Sequence, residues 1–563
     1  MTGGRRLGAV LAVTAAAALV FPFAASARES RSAVLAKRGI AHAVDRGWIK
    51  GPDARRYLAD VYLAQRGIRI LPKLRGAVLE SQLSQVSAIW DSYISTRATA
   101  LFSQLRENVD YLSTHRIPTG ARDVRGPDGV VYRWFPGMGL EFHPLANFAK
   151  LNALAAKSDS EGTRQLVDAL LARAIPRQGT LLWEYSFPYG SGRAPWVSAL
   201  AQAVAAQSIS RAATLLGDDS LLAAAQKAYL AIPGRLALQL STGPWVRLYS
   251  FDHEIVLNAQ LQAILSLQEY GETANDTAAQ VYAQRLLTSL RAQFSRFDTG
   301  DWSRYELGGA YAKWSYQEYV TTLLGKLAKQ SGDPFWQDAA ARFANYTYQP
   351  PRVTQLQPAP ELVVFPRPQD GWLDSVRIRF TLSKKASLTL VLAGKVRTWG
   401  NAARGDHELT WKPGPDVQPG TYPVTVRAVD FTGRHASYSL APVTVGWDDA
   451  PPPLGPGSVQ VDTTTNVLAW TVDEPGTPWL ELQLELTDPE GVQAPQVLDL
   501  GHQATSGSLQ LAIPAGTWSA VLDATNSAGL TTQVDLPALT GPVPAPPAPP
   551  PAPAPTPAPA PAP

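Results

Sequence analysis

Polar and apolar positions divide this chain into a helical part and a strand-like part. From about residue 30 to 110 apolar side chains recur every three or four positions. In "VLESQLSQVSAIWDSYI", Leu79, Leu83, Val86 and Trp90 fall on one stripe, the spacing of an amphipathic helix. From Tyr111 to Tyr348 an apolar helix, a polar turn and a return helix repeat loosely. The first helices start near Pro144, Trp196, Ile255 and Tyr316, and "AKSDSEG", "LLGDDS", "EYGETAND" and "QSGDPF" supply the turns. About four such helix pairs, recurring every 50–60 residues or so, predict an α/α toroid whose end loops line a cleft. After Tyr348 the period changes from helical to alternating. "SVRIRFTLS", "SLTLVLAG" and "YPVTVRAVD" read as strands, and so do "WLELQLELTD" and "TWSAVLDATN". They predict two all-β, immunoglobulin-like sandwich domains following the toroid.

The boundaries follow from composition. Residues 1–27 combine Arg5-Arg6, an apolar run and Ala25-Ser26-Ala27, which is a secretory signal peptide pattern; a retained membrane anchor is the other reading. The expected order is then an N-terminal helical region (28–110), the toroid (111–348) and a Pro-rich linker (349–371). A β-sandwich (372–446), a second one (457–538) and a Pro/Ala-rich tail (541–563) without a fixed fold complete it. The expected location is secreted or cell-envelope associated, with the C-terminal region as the route to the envelope.

Charge and rare residues narrow the chemistry. A net charge of +3 over 563 residues argues against nucleic acid as a partner. With no cysteine, thiolate ligands, disulfides and cysteine nucleophiles are excluded. The seven histidines are scattered, which argues against a histidine metal site. Aromatic residues gather instead. "WSRYELGGAYAKWSYQEY" (302–319) holds Tyr305, Tyr311, Tyr316 and Tyr319 with Trp302 and Trp314 around Gly308-Gly309. "LLWEYSFPYGSGRAPW" (181–196) adds Glu184, Tyr185, Tyr189, Arg193 and Trp196, and "YRWFPGMGLEFHP" adds Arg133, Trp134, Glu141 and His143. Such loops offer flat faces for sugars and phenols for proton transfer.

Several of these segments resemble the C-terminal domain of the D-glucuronyl C5-epimerases. The resemblance runs over about residues 130–348. It is carried by Pro195-Trp196 with Ser198-Ala199 and Ala201-Gln202, by Val256-Leu257-Asn258, by Asp298-Thr299-Gly300, and by Trp314 with Tyr316. Members of that family invert uronic acids in heparan-type polymers. The resemblance implies an exported protein acting on C5 of uronic acid residues in a polysaccharide, without metal or redox cofactor. It places the family's functional tyrosines on Tyr249, Tyr305 and Tyr316. Arg304 or Arg247 then neutralises the sugar carboxylate, and Trp196, Glu184, Tyr185, Trp314 and His143 complete the binding surface. The chain departs from the animal epimerases at Leu248, Gly308, Ser315 and Gln317, where they carry charged residues or histidine. Two alternatives therefore stay open: a uronate polysaccharide lyase, and a non-catalytic glycan-binding or envelope scaffold protein.

Overall fold

A computed structural model of the protein describes residues 29–356 and 362–542. The expected signal peptide and all but the first two residues of the expected Pro/Ala tail lie outside the described residues. The chain divides into two compact units, one ending at Gln349 and the other beginning at Pro350.

The first unit opens with four helices, α1 (Arg31–Asp45), α2 (Gly51–Ile70), α3 (Lys73–Ala88) and α4 (Ser95–Thr114). A three-stranded antiparallel sheet follows, β1 (Asp123–Arg125), β2 (Val131–Phe135) and β3 (Gly139–Phe142). Four helical hairpins come next. They are α5 (Pro144–Ala155) with α6 (Ser160–Leu171), α7 (Ala199–Leu216) with α8 (Ser220–Arg235), α9 (Leu257–Thr273) with α10 (Thr277–Gln293), and α11 (Trp314–Ser331) with α12 (Pro334–Tyr348). The first members stand side by side in the order α5, α7, α9, α11, and each packs against its own return helix. One apolar core runs continuously from Ala33 in α1 to Tyr346 in α12.

The two classes of helix differ because their sequences do. α7, "ALAQAVAAQSISRAATLL", is buried around nearly its whole girth, because alanine and serine let both neighbours approach closely. α8 buries only Leu221, Ala225, Ala228, Tyr229, Ala231 and Ile232, the pattern of a helix with one face in water. Gly217 ends α7 at φ 60°, a left-handed position that a residue with a Cβ disfavours. Return helices begin at aspartates: Asp159, Asp276 and Asp333 each accept a backbone N–H of the first turn.

Residues 111–348 were expected to be almost wholly helical, and the structure adds short strands to them. β1–β3 and two hairpins, β4 (Ile175–Arg177) with β5 (Thr180–Leu182) and β6 (Ala237–Leu240) with β7 (Gly243–Val246), lie within that stretch. Each hairpin carries the chain from a return helix toward the next inner helix. Pairing satisfies the backbone there, which an unpaired buried connector could not do. Glu141, grouped in the sequence with the aromatic loops, is instead fully buried in β3. Gln82 and Gln85 of α3 and Gln104 of α4 donate to its carboxyl at 2.7, 2.8 and 2.7 Å.

The second unit holds two sandwiches. The first contains β8 (Val353–Gln355), β9 (Val363–Val364), β10 (Val376–Leu382), β11 (Ala386–Leu392), β12 (Lys395–Ala402), β13 (Gly405–Trp411), β14 (Gly420–Val429) and β15 (His435–Val445). Its sheets run β13-β10-β8 and β12-β11-β14-β15-β9, and alternate residues such as Ile378, Phe380, Leu388, Leu390, Val424 and Val426 meet between them. The second sandwich contains β16 (Val459–Asp462), β17 (Val467–Thr471), β18 (Leu480–Thr487), β19 (Gln496–Gln503), β20 (Ser506–Gln510), β21 (Gly516–Thr525) and β22 (Thr531–Gly541), in sheets β16-β17-β20 and β19-β18-β21-β22.

The segment 349–371 is therefore not only a linker. β8 pairs antiparallel with β10, β9 pairs parallel with β15, and Val353, Leu362 and Val364 are buried in the first sandwich. Apolar residues between prolines complete sheet edges, where an imide without an N–H is tolerated. Gly541, expected to open the tail, ends β22. Among the described residues no helix is long and apolar enough to cross a membrane.

Candidate functional site

The starts of the inner helices share a cleft. His143 is the N-cap of α5 and Ser198 the N-cap of α7; Asn258 is the second residue of α9 and Tyr316 the third of α11. All four line one narrow, open cleft. His143 Nδ1 accepts the Ala146 N–H and Ser198 Oγ accepts the Ala201 N–H. α9 and α11 begin without a side-chain cap. Four positive helix ends facing one space favour an anion there.

The aromatic wall is built by the loop before α7. Tyr185 and Trp196 exchange backbone hydrogen bonds at 2.8 and 3.1 Å, and their rings stack at 4.0 Å, nearly parallel. Trp196 Nε1 donates to the Phe187 carbonyl, which fixes the indole. Gly192 lies against Phe251 so closely that a Cβ would meet the ring at 2.3 Å. Trp196 meets Tyr249 edge-on at 5.2 Å, and Tyr249 meets Tyr189 the same way at 5.2 Å. Tyr305, in the loop before α11, lies edge-on to Tyr316 at 4.6 Å. Gly308 turns that loop at φ 76°.

The four phenols act on one another. Burial pushes the hydroxyls of Tyr249, Tyr305, Tyr316 and Tyr189 above their ordinary range, and repulsion among the phenols and from Glu254 adds to it. They stand in two neighbouring pairs, Tyr305 edge-on to Tyr316 and Tyr249 edge-on to Tyr189, so a charge on one opposes proton loss from the others. His143 is pushed down to about 3, by burial first and then by Arg133. Its imidazole is neutral, and with Nδ1 accepting, the ring proton sits on Nε2.

The residues singled out in the sequence separate into groups. Tyr249, Tyr316, Trp196, Tyr185 and His143 line the cleft, and Tyr305 stands against Tyr316. Arg304 and Arg247 are not among its lining residues. Arg304 donates to the Gly309 carbonyl and braces the loop. Arg247 reaches the Ser250 carbonyl and His253, each at 3.3 Å. The cation that lines the cleft is Arg133, which also grips Asp123 through two bonds at 2.8 and 2.9 Å. Glu184 points away from the cleft into a bidentate pair with Arg97, both bonds 2.8 Å. Trp314 sits exposed at the start of α11, stacked on Trp302 at 5.9 Å.

Sequence reasoning did not anticipate the part played by Asn258. It is 1% exposed, lines the cleft, and its Oδ1 has no hydrogen-bond partner. Its place in Val256-Leu257-Asn258 was visible; its unsatisfied acceptor was not. Ser198 and Arg133 were likewise visible as residues, but not as neighbours in one cleft. Among the described residues no group of three or more histidine, aspartate and glutamate side chains is arranged to hold a metal.

Comparison with known proteins adds the following. A family 8 glycosyl hydrolase, an endoglucanase from Klebsiella pneumoniae, is 10% identical, over 37% of this chain and 76% of that one, with a TM-score of 0.28. PssZ from Listeria monocytogenes is 9% identical, over 40% and 84%, with a TM-score of 0.24. The fibronectin(III)-like modules of CbhA from Clostridium thermocellum are 12% identical, over 34% and 94%, with a TM-score of 0.17. No curated protein sequence matches the chain. The family match is of a different kind, since it falls on the segment that carries Trp196, Tyr249, Asn258, Tyr305 and Tyr316: residues 177–345 match the family model described as D-glucuronyl C5-epimerase C-terminus.

Proposed function

We propose that this protein is an exported carbohydrate-active enzyme that epimerises C5 of uronic acid residues in a polysaccharide, with the helical unit as its catalytic toroid. The observation that supports this most is that Tyr249 and Tyr316 line one cleft with Tyr305 against Tyr316, all three within the matched segment and from three separate loops and helix starts.

The chemistry makes three demands. The C5 proton lies beside a carboxylate, so negative charge builds on that carboxylate as the proton leaves. The four helix starts and Arg133 face the place where it would sit. A carbon acid needs a strong base, and burial that raises a phenol makes its phenolate strong, at the cost of a small ionised fraction. Tyr316 and Tyr249, which line the same cleft, are the two proton carriers, one to remove the C5 proton and the other to return it; burial raises both phenols. The stacked Trp196 and Tyr185 brace the cleft wall, Asn258 Oδ1 accepts a sugar hydroxyl, and His143 donates through Nε2.

The test is C5 hydrogen exchange into uronate polymers in deuterated water. Exchange without an unsaturated product supports epimerisation; an unsaturated uronate, seen by its absorbance, assigns lyase chemistry instead. A second reading, glycan binding without catalysis, draws on two neutral substitutions. Leu248 lines the cleft as a buried apolar residue, and Gln317 is fully buried with Ser303 and the Phe343 carbonyl. Binding with no exchange on any uronate polymer would establish that reading. In either case the sandwiches following Gln349 are the proposed means of envelope association.

A further inference from the structure

Behind the aromatic wall lies a second cavity of about 220 Å³, open to solvent. Alternation along extended backbone separates the two spaces. Tyr185, Ser198 and Tyr249 face the cleft, while their neighbours Glu184, Val197 and Ser250 face the second cavity. Backbone bonds between Tyr185 and Trp196, and between Val197 and Ser250, tie this partition together. Trp196 lines both spaces.

The second cavity is basic. Arg97 of α4, Arg177 at the end of β4 and Arg235 at the end of α8 converge on it from three elements. Its one carboxylate, Glu184, is already held by Arg97, whose Nη1 donates to the Ser92 carbonyl as well. Arg97 is thus a fixed, neutralised post. Arg177 and Arg235 are exposed and carry no ion pair among the described residues, so two forks remain for an outside anion. Leu182, Leu236 and Trp196 supply apolar surface beneath them.

We propose that this cavity is a second anion subsite. It takes the carboxylate or sulfate ester of another acidic sugar in the same glycan whose uronate occupies the tyrosine cleft. The inference rests on the proposed function for its polymer, but not for its anion chemistry. Occupation at both sites ties the chain across the partition, and Trp196, shared by both, registers one site against the other.

Calorimetry with uronate oligosaccharides of two lengths, a trisaccharide and a chain of at least about eight sugars, tests it. The Arg177→Ala/Arg235→Ala variant changes only exposed side chains. It is expected to bind the long chain at least about tenfold more weakly and the trisaccharide as the native protein does. Arg177→Lys/Arg235→Lys, which keeps charge but loses the forks, should fall between. Equal losses at both lengths, or none at either, would overturn the subsite. If the native protein binds no uronate oligosaccharide, the proposed function falls first. Inorganic sulfate, followed through the arginine side-chain NMR signals, then decides the cavity. No shift at Arg177 and Arg235 overturns the anion site, and sulfate binding alone assigns it to a free anion and overturns the glycan subsite.

Discussion

Tyr316 has two roles that one atom separates. Its ring belongs to the apolar packing at the start of α11 and lies edge-on to Tyr305, while its hydroxyl is the one group able to move a proton. Tyr316→Phe keeps the ring and should therefore fold, losing at most about 1.5 kcal/mol. C5 exchange should fall by at least about a hundredfold, the usual scale of a lost acid–base group; exchange at the native rate would remove Tyr316 from the mechanism. Arg133 makes a separate prediction. Arg133→Gln keeps a polar side chain but removes the one cation lining the cleft among the described residues. Uronate affinity should weaken by about 1.5–3 kcal/mol, the range for hydrogen bonds to charged groups, while a neutral sugar analogue should bind unchanged. The sequence reading assigned the carboxylate to Arg304 or Arg247 and noted Arg133 only as one residue of an aromatic loop. Only the fold shows that the first two point to backbone carbonyls, and no helical or strand period carries that information.

At the level of elements, the clearest testable feature is the carboxyl of β3 held by three glutamines of α3 and α4. Burial outweighs the three amide donors and pushes Glu141 up to about 8, from an ordinary 4.5. The folded form thus holds this proton more tightly than the unfolded chain. Its contribution is fully present below pH 4.5 and is lost as pH rises toward 8, with a slope approaching about 1.4 kcal/mol per pH unit. Denaturant unfolding across that window should show the slope in the native protein. Glu141→Gln, which cannot ionise, should lack that slope whatever its starting stability; parallel pH profiles would refute the assignment. The four inner helices and their return partners were legible from apolar spacing and aspartate caps. The hairpins between them were not, because three- and four-residue strands are too short to show a period.

For the whole molecule, the break at Gln349 matters most. The helical unit has its own continuous core, and each sandwich has its own. A chain ending at Gln349 should unfold cooperatively by itself and keep the C5 exchange rate of the full protein; loss of either would show that the sandwiches complete the fold or the site. The composition changes after Tyr348, next to the break at Gln349. Within residues 349–371 proline obscured two strands that pair in the first sandwich.

The sequence by itself determined the periods: helices in pairs, then alternating strands, and a collection of tyrosines and tryptophans at helix starts. These are local properties, written in spacing of three to four or of two, and in caps and turn residues. The tertiary structure alone decided which of those side chains share a space. Tyr189, Tyr249, Tyr305 and Tyr316 meet because α5, α7, α9 and α11 stand side by side with their starts at a common cleft. Arg304 and Glu184 turn away because a loop carbonyl and Arg97 claim them first. Convergence depends on packing between elements far apart in the chain, and distance in space is not encoded in any short window of residues.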